Sequence, residues 1–158
     1  MKSIHTRGIP VARVQAGMSA SFAVKAVPGT KEGKVERSNI RKGMVLVDAK
    51  SNPRSAYMFE ANVLVLHHPT TIQAGYQPVV HLRTARQSAW VVDMDKPLLR
   101  SGDAATVKFR FAYRPEFVKE GLSIVFREGT TKGQGVVTRV IYEDEDEAKS
   151  FLLRKHSP

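Results

Sequence analysis

The sequence predicts an all-β chain: one closed antiparallel barrel of six strands, preceded by a shorter set of strands too few to close on themselves. Three observations carry this. Helical periodicity is nearly absent, while apolar and polar residues alternate with period two over several stretches. Turn-forming clusters of Gly, Pro, Asn and Asp break the alternation at intervals of roughly eight to twelve residues, as in small barrels and sandwiches. In the stretch from Phe126 to Val137, an apolar run ends at Arg127-Glu128 and a Gly-rich polar segment follows before a second apolar run begins. That pattern predicts a hairpin with charge at its mouth and glycines where the chain turns at positive φ.

Taken in order, residues 1–50 hold expected strands at 2–5, 19–27 and 43–48, with a polar loop over 28–34. Ser38-Asn39-Ile40-Arg41-Lys42-Gly43 reads as a capped helical turn closed by glycine. Three or four strands leave sheet edges open. Residues 51–54 form the linker, since Pro53 bars continuation of a ladder. Residues 55–142 supply six strands, at 59–66, 78–83, 89–93, 106–111, 122–127 and 135–142. In the fourth, Val107, Phe109 and Phe111 share one face while Lys108 and Arg110 take the other. Six strands over this length suit a closed barrel, which removes exposed edges. Residues 143–158 form an acidic tail without strand signal and are expected to be disordered.

Composition narrows the function. The chain has 158 residues, no cysteine, and a formal charge of +10. Without cysteine there is neither a disulfide nor a thiolate metal site. No apolar run approaches the ~18 residues of a membrane span, so no membrane partner is expected. The tail carries five acids, Glu143-Asp144-Glu145-Asp146-Glu147, and three bases; the rest of the chain keeps 22 bases against 10 acids. Such a body attracts polyanions by counterion release.

No catalytic constellation emerges. His67-His68 is the sole histidine cluster, and adjacent strand residues point to opposite faces, poor geometry for one metal. An enzyme built on His67, His68 and an acid such as Glu60 needs those groups to converge in one pocket. Gly29-Thr30-Lys31-Glu32-Gly33-Lys34-Val35 has too short a spacing for a phosphate loop, with Val35 where a magnesium-binding hydroxyl is required. The aromatics Phe59, Phe109, Phe111 and Phe126 read as core, Trp90 as half buried and Tyr76 as a turn aromatic. Arg83, Arg86, Arg127, Lys132 and Arg139 lie at strand ends or on polar faces, where guanidinium and ammonium groups follow a sugar-phosphate backbone without reading its sequence. Two other readings stay open for them: contact with another domain, and a solvated face.

Four segments in this order carry a family resemblance: Leu66-His67-His68-Pro69-Thr70-Thr71, Gly75-Tyr76-Gln77-Pro78, Leu99-Arg100-Ser101-Gly102-Asp103 and the Phe126–Val137 stretch. The chain resembles the C-terminal part of elongation-factor-Tu-like GTPases. Leu64 to Thr71 and Lys108-Phe109-Arg110-Phe111 are similar to the branch called GTP-binding protein one and two. Residues 1–50 look like the second half of that family's middle barrel, and 55–142 like its whole third barrel.

The resemblance implies a fragment without catalysis of its own, with GTP and magnesium belonging to a GTPase domain of the parent protein. It implies docking on that domain and contact with aminoacyl-tRNA or other RNA. The matching RNA-facing positions are His68, Thr70, Val79, where the family carries a polar residue, and the turn from Gly129 to Lys132. Ribosome or exosome association and a cytoplasmic location come with the branch. The open edges of a half barrel add an expected homodimer through residues 2–48. The rival reading is a stand-alone basic RNA-binding β-barrel.

Overall fold

The computed structural model describes residues 1–25 and 37–142. The chain divides into two compact units, Met1–Arg41 and a second beginning at Lys42. The loop expected over 28–34 and the tail 143–158 lie outside the described residues.

In the first unit, β1 (Ser3–Thr6), β2 (Ile9–Val11) and β3 (Ser21–Ala23) form an antiparallel sheet in the order β2-β1-β3. The β1–β2 hairpin turns through Arg7 and Gly8, both at positive φ, as a I′ loop requires. Strand β2 is not among the expected strands; its Pro10 is tolerated because the strand lies at the edge of this sheet. A 3-10 turn at Arg37–Asn39 stands where a helical turn was expected.

The strand expected at 43–48 does not form. Met44, Val45, Leu46 and Val47 are all exposed and pair with no described residue in a ladder. Strand propensity reports fit to a pleated, half-buried surface, and among the described residues this segment gains neither a partner strand nor burial.

The second unit contains the barrel. Strands β4 (Met58–His67), β5 (Val79–Leu82), β6 (Ala85–Met94), β7 (Ala104–Phe111), β8 (Ser123–Glu128) and β9 (Thr131–Ile141) pair antiparallel in the order β4-β7-β6-β5-β8-β9, and β9 closes on β4. Alternate residues fill the interior, among them Phe59, Val63 and Val65 of β4, Val80 and Leu82 of β5, Val107, Phe109 and Phe111 of β7, and Ile124 and Phe126 of β8. Phe59 stacks on Phe109 at 5.4 Å and tilts against Phe111 at 5.2 Å, and Phe109 meets Phe126 at 6.1 Å. Each such ring stabilises the fold by about 1.5–3 kcal/mol through burial, with ~0.5–1.5 kcal/mol more per favourable aromatic pair.

Two sequence expectations need correction inside the barrel. The hairpin between β8 and β9 is a two-residue loop, Gly129-Thr130, and only Gly129 of its glycines lies at positive φ. Gly133 and Gly135 belong to β9 and serve packing instead of turning. A β-carbon on Gly133 would overlap the Phe126 ring, and one on Gly135 would fall on the β4 backbone at Asn62 and Val63. Arg110, expected on the polar face of β7, is 0% exposed, with its guanidinium 4.9 Å from the centre of the Tyr57 ring. The chain before β4 crosses back at this end of the barrel: Ala56 and Glu116 exchange backbone hydrogen bonds. Glu116, itself buried, accepts from Gln87 Nε2 at 2.9 Å and from Arg114 Nε at 3.3 Å.

Candidate nucleic-acid interface

Antiparallel pairing sorts the barrel's connections into two ends. One end carries the β8–β9 hairpin with the loops 68–78 and 95–103; the other carries the β5–β6 hairpin Arg83-Thr84 and the loop 112–122. The register at the first end places Arg127 opposite Lys132, Lys132 opposite His67, and Arg127 opposite Val79. Arg127 and Val79 alternate with the buried Phe126 and Val80, and Lys132 lies between the buried Thr131 and Gly133, so they face the outer wall; His67, two residues past the buried Val65, is exposed beyond a bulge in β4 between the two. The next outward row runs Arg86, His81, Val125, Gln134, Leu64 across β6, β5, β8, β9 and β4.

Together the two rows make a basic stripe of Arg86, His81, Arg127, Lys132 and His67 that contains no acid. Like charges directly across a ladder repel, and Arg127 against Lys132 is such a pair. His81 feels the same field. Its pKa is lowered from the ordinary 6.5, first by burial and then by Arg86 and Arg127. A phosphate would relieve this repulsion.

The loop after β4 is fixed beside the hairpin. The His68 backbone N–H donates to Ser101 Oγ at 2.8 Å, and that hydroxyl donates back to the His68 carbonyl at 3.2 Å. The ring Nδ1 lies 2.6 Å from the buried Thr131 Oγ1, Nε2 lies 3.4 Å from Thr70 Oγ1, and Tyr76 meets the ring edge-on at 5.4 Å. Among the described residues no hydrogen-bond partner meets Tyr76's buried hydroxyl in good geometry. Burial raises its pKa above the ordinary 10.0; the nearby Thr131 hydroxyl pulls the other way, and Glu128 adds to the rise.

Of the residues singled out from sequence, Arg127, Lys132, Gly129, His68 and Thr70 gather at this end, and Arg86 sits one row along. Arg83 does not join them: it turns the far hairpin at φ +50. Arg139 lies well along β9, 3.9 Å from Glu60. Two residues of the stripe, His67 and His81, were missed as members. His81 joins through the two-residue loop Arg83-Thr84 that sets it opposite Arg86, and His67 through the pairing of β4 with β9 that sets it opposite Lys132; neither register is visible in the alternation of a single strand.

Residues 52–141 match the family described as the elongation factor Tu C-terminal domain. The chain is 46% identical over 141 residues to GTP-binding protein 1 of Xenopus laevis, covering 89% of this chain and 20% of that protein. It is 41% identical over 140 residues to GTP-binding protein 2 of Mus musculus, covering 88% of this chain and 22% of the relative. Elongation factor 1-alpha of Cenarchaeum symbiosum is 29% identical over 164 residues, covering 90% of this chain and 36% of that protein. The chain thus spans about a fifth of the length of the two GTP-binding proteins. A closed six-stranded barrel and a match spanning all six of its strands give one answer: the chain belongs to the family of elongation factor Tu C-terminal domains.

Proposed function

We propose that this chain is the docking and RNA-contact part of a translational-type GTPase acting in the cytoplasm, with GTP and magnesium handled by a separate GTPase domain. The observation that carries the RNA reading is the acid-free stripe, in which Arg127 and Lys132 face each other across β8 and β9 beside His67, His81 and Arg86. Opposed cations destabilise a ladder unless an anion lies over them. His68, Thr70 and the Gly129-Thr130 tip flank the stripe and supply hydroxyl, imidazole and backbone groups for phosphate or sugar. A relative named elongation factor 1-alpha supports a place in translation elongation, and an aminoacyl-tRNA-like partner is the RNA this reading selects. Arg83 lies outside the contact in this reading.

Anisotropy titration of a fluorescent tRNA-like hairpin over a range of salt tests the proposal. Arg86, Arg127 and Lys132 are the permanent cations, so log affinity should fall with log salt at a slope of about −2 to −3, at ~0.7–0.9 per phosphate. The double variant Arg127→Ala/Lys132→Ala should flatten the slope by ~1 to 2. An unchanged slope and affinity would reassign the stripe to contact with another domain.

A further inference from the structure

The segment leading into β7 forms a turn whose hydroxyl reaches the loop after β4. Arg100 to Asp103 close a β-turn: the Asp103 N–H donates to the Arg100 carbonyl at 3.0 Å, and the Arg100 N–H donates to Asp103 Oδ2 at 2.7 Å. Gly102 stands at φ +91 in the third position, where a turn at positive φ favours glycine. Buried neighbours sew this turn to the end of β4. Val65 donates to the Asp103 carbonyl at 2.9 Å and accepts from the Gly102 N–H at 2.8 Å, while Ile72 and Leu99 exchange backbone hydrogen bonds at 2.8 and 2.9 Å. The backbone around Ser101 is thus pinned on both sides.

The Ser101 side chain meets one residue twice. His68 follows His67, the last ladder residue of β4, so its backbone groups need other partners. One hydroxyl serves both, accepting from the His68 N–H at 2.8 Å and donating to the His68 carbonyl at 3.2 Å. A hydroxyl can do this with a single atom because it both donates and accepts; alanine does neither, and threonine keeps the group. From this fixed backbone the imidazole places Nδ1 2.6 Å from Oγ1 of Thr131, the first residue of β9 past the Gly129-Thr130 tip. Nε2 is left toward the exposed Thr70, at 3.4 Å. Ser101 carries no charge and belongs to neither outward row, so a search for cations passes over it.

We propose that Ser101 is a positioning residue of the RNA contact. Its hydroxyl fixes the His68 backbone, the fixed backbone aims the imidazole, and the imidazole adds a salt-independent share of affinity to the ionic share of the stripe. The share of affinity rests on the RNA-contact reading; the aiming of the ring does not.

On the full 158-residue chain, Ser101→Ala should weaken binding of the hairpin RNA by about 3- to 10-fold, the size of one or two lost hydrogen bonds, at an unchanged salt slope. Ser101→Thr should keep wild-type affinity. His68→Ala should show a similar loss, and adding Ser101→Ala to it should cost nothing further, because the hydroxyl acts through the ring. Ring-nitrogen NMR, recorded where the imidazole is neutral and assigned by the signal missing from His68→Ala, gives a second readout. The Nδ1 and Nε2 shifts of His68 should be well separated, converge in Ser101→Ala as the two tautomers mix, and separate again in Ser101→Thr. Full affinity or a flattened slope in Ser101→Ala, additive losses in the double variant, or ring shifts that do not move would overturn the proposal. Equal loss in the alanine and threonine variants would overturn it too, since shape and not the hydroxyl would then matter. If the unaltered chain binds no hairpin RNA, the RNA reading fails and takes the share of affinity with it; the ring shifts alone then decide whether Ser101 aims His68.

Discussion

Replacing Gly133 by alanine tests the packing that lets β9 lie flush behind the β8–β9 hairpin. A β-carbon at this position would overlap the Phe126 ring, which is buried and tilted against Phe109 at 6.1 Å. The ring has to leave its rotamer or β9 has to move outward, an overpacking of about 1–3 kcal/mol. For a barrel of this size that is a drop in Tm of ~4–8 °C per kcal/mol. Shortening the ring by Phe126→Leu loses burial on its own, yet it removes the atoms the new methyl meets. The double variant should therefore be less destabilised than the sum of the singles, with a coupling of roughly 0.5–3 kcal/mol. Urea denaturation followed by Trp90, the single tryptophan, which sits on β6, reads the barrel directly. Additivity to within about 0.5 kcal/mol would refute the claim that Gly133 is there to admit Phe126.

His81 should titrate below 6.5, since burial and then Arg86 and Arg127 oppose its charged form. Between its folded pKa and 6.5 the unfolded chain holds more protons, so stability rises with pH across that window and is lost as pH falls through it. Arg86→Ala should move the imidazole titration toward 6.5 in NMR, and a His81 that titrates at or above that value would contradict the arrangement. Among the described residues β2 and β3 are the edges of the first sheet, with Ile9 and Phe22 exposed, and on that ground we propose the self-association expected through residues 2–48. Sedimentation velocity should show a concentration-dependent dimer that Phe22→Lys abolishes; a monomer at every concentration would remove the proposal.

All six barrel strands were legible from alternation because one face of each is buried: Phe59 to Val65, Val107 to Phe111 and Ile124 to Phe126 carry the period-two signal directly. Boundaries were less so. Residues 85–88 escaped assignment to β6, although the buried Ala85 and Gln87 alternate there, because small and polar residues carry little periodic contrast. Residues 43–48 failed in the opposite sense, since β-branched content says nothing about whether a partner strand exists.

Sequence by itself determined the class of the protein: the alternation, the turn chemistry and the ordered motifs around His68, Gly75-Tyr76, Gly102 and Arg127-Glu128-Gly129 lead to the family that residues 52–141 match. Strand register and closure decided the rest. A strand's own period says which residues face outward, but not which outward residues of other strands lie beside them. Only the pairing of β5 with β8 and of β9 with both β8 and β4 puts Arg127, Lys132 and His67 in one row and leaves Arg83 at the other end of the barrel. Only the fold around Tyr57 turns Arg110 from an outward-facing charge into a fully buried one. A glycine in a sequence likewise does not say whether it turns the chain or makes room; Gly129 does the first and Gly133 the second, because Phe126 arrives from a neighbouring strand.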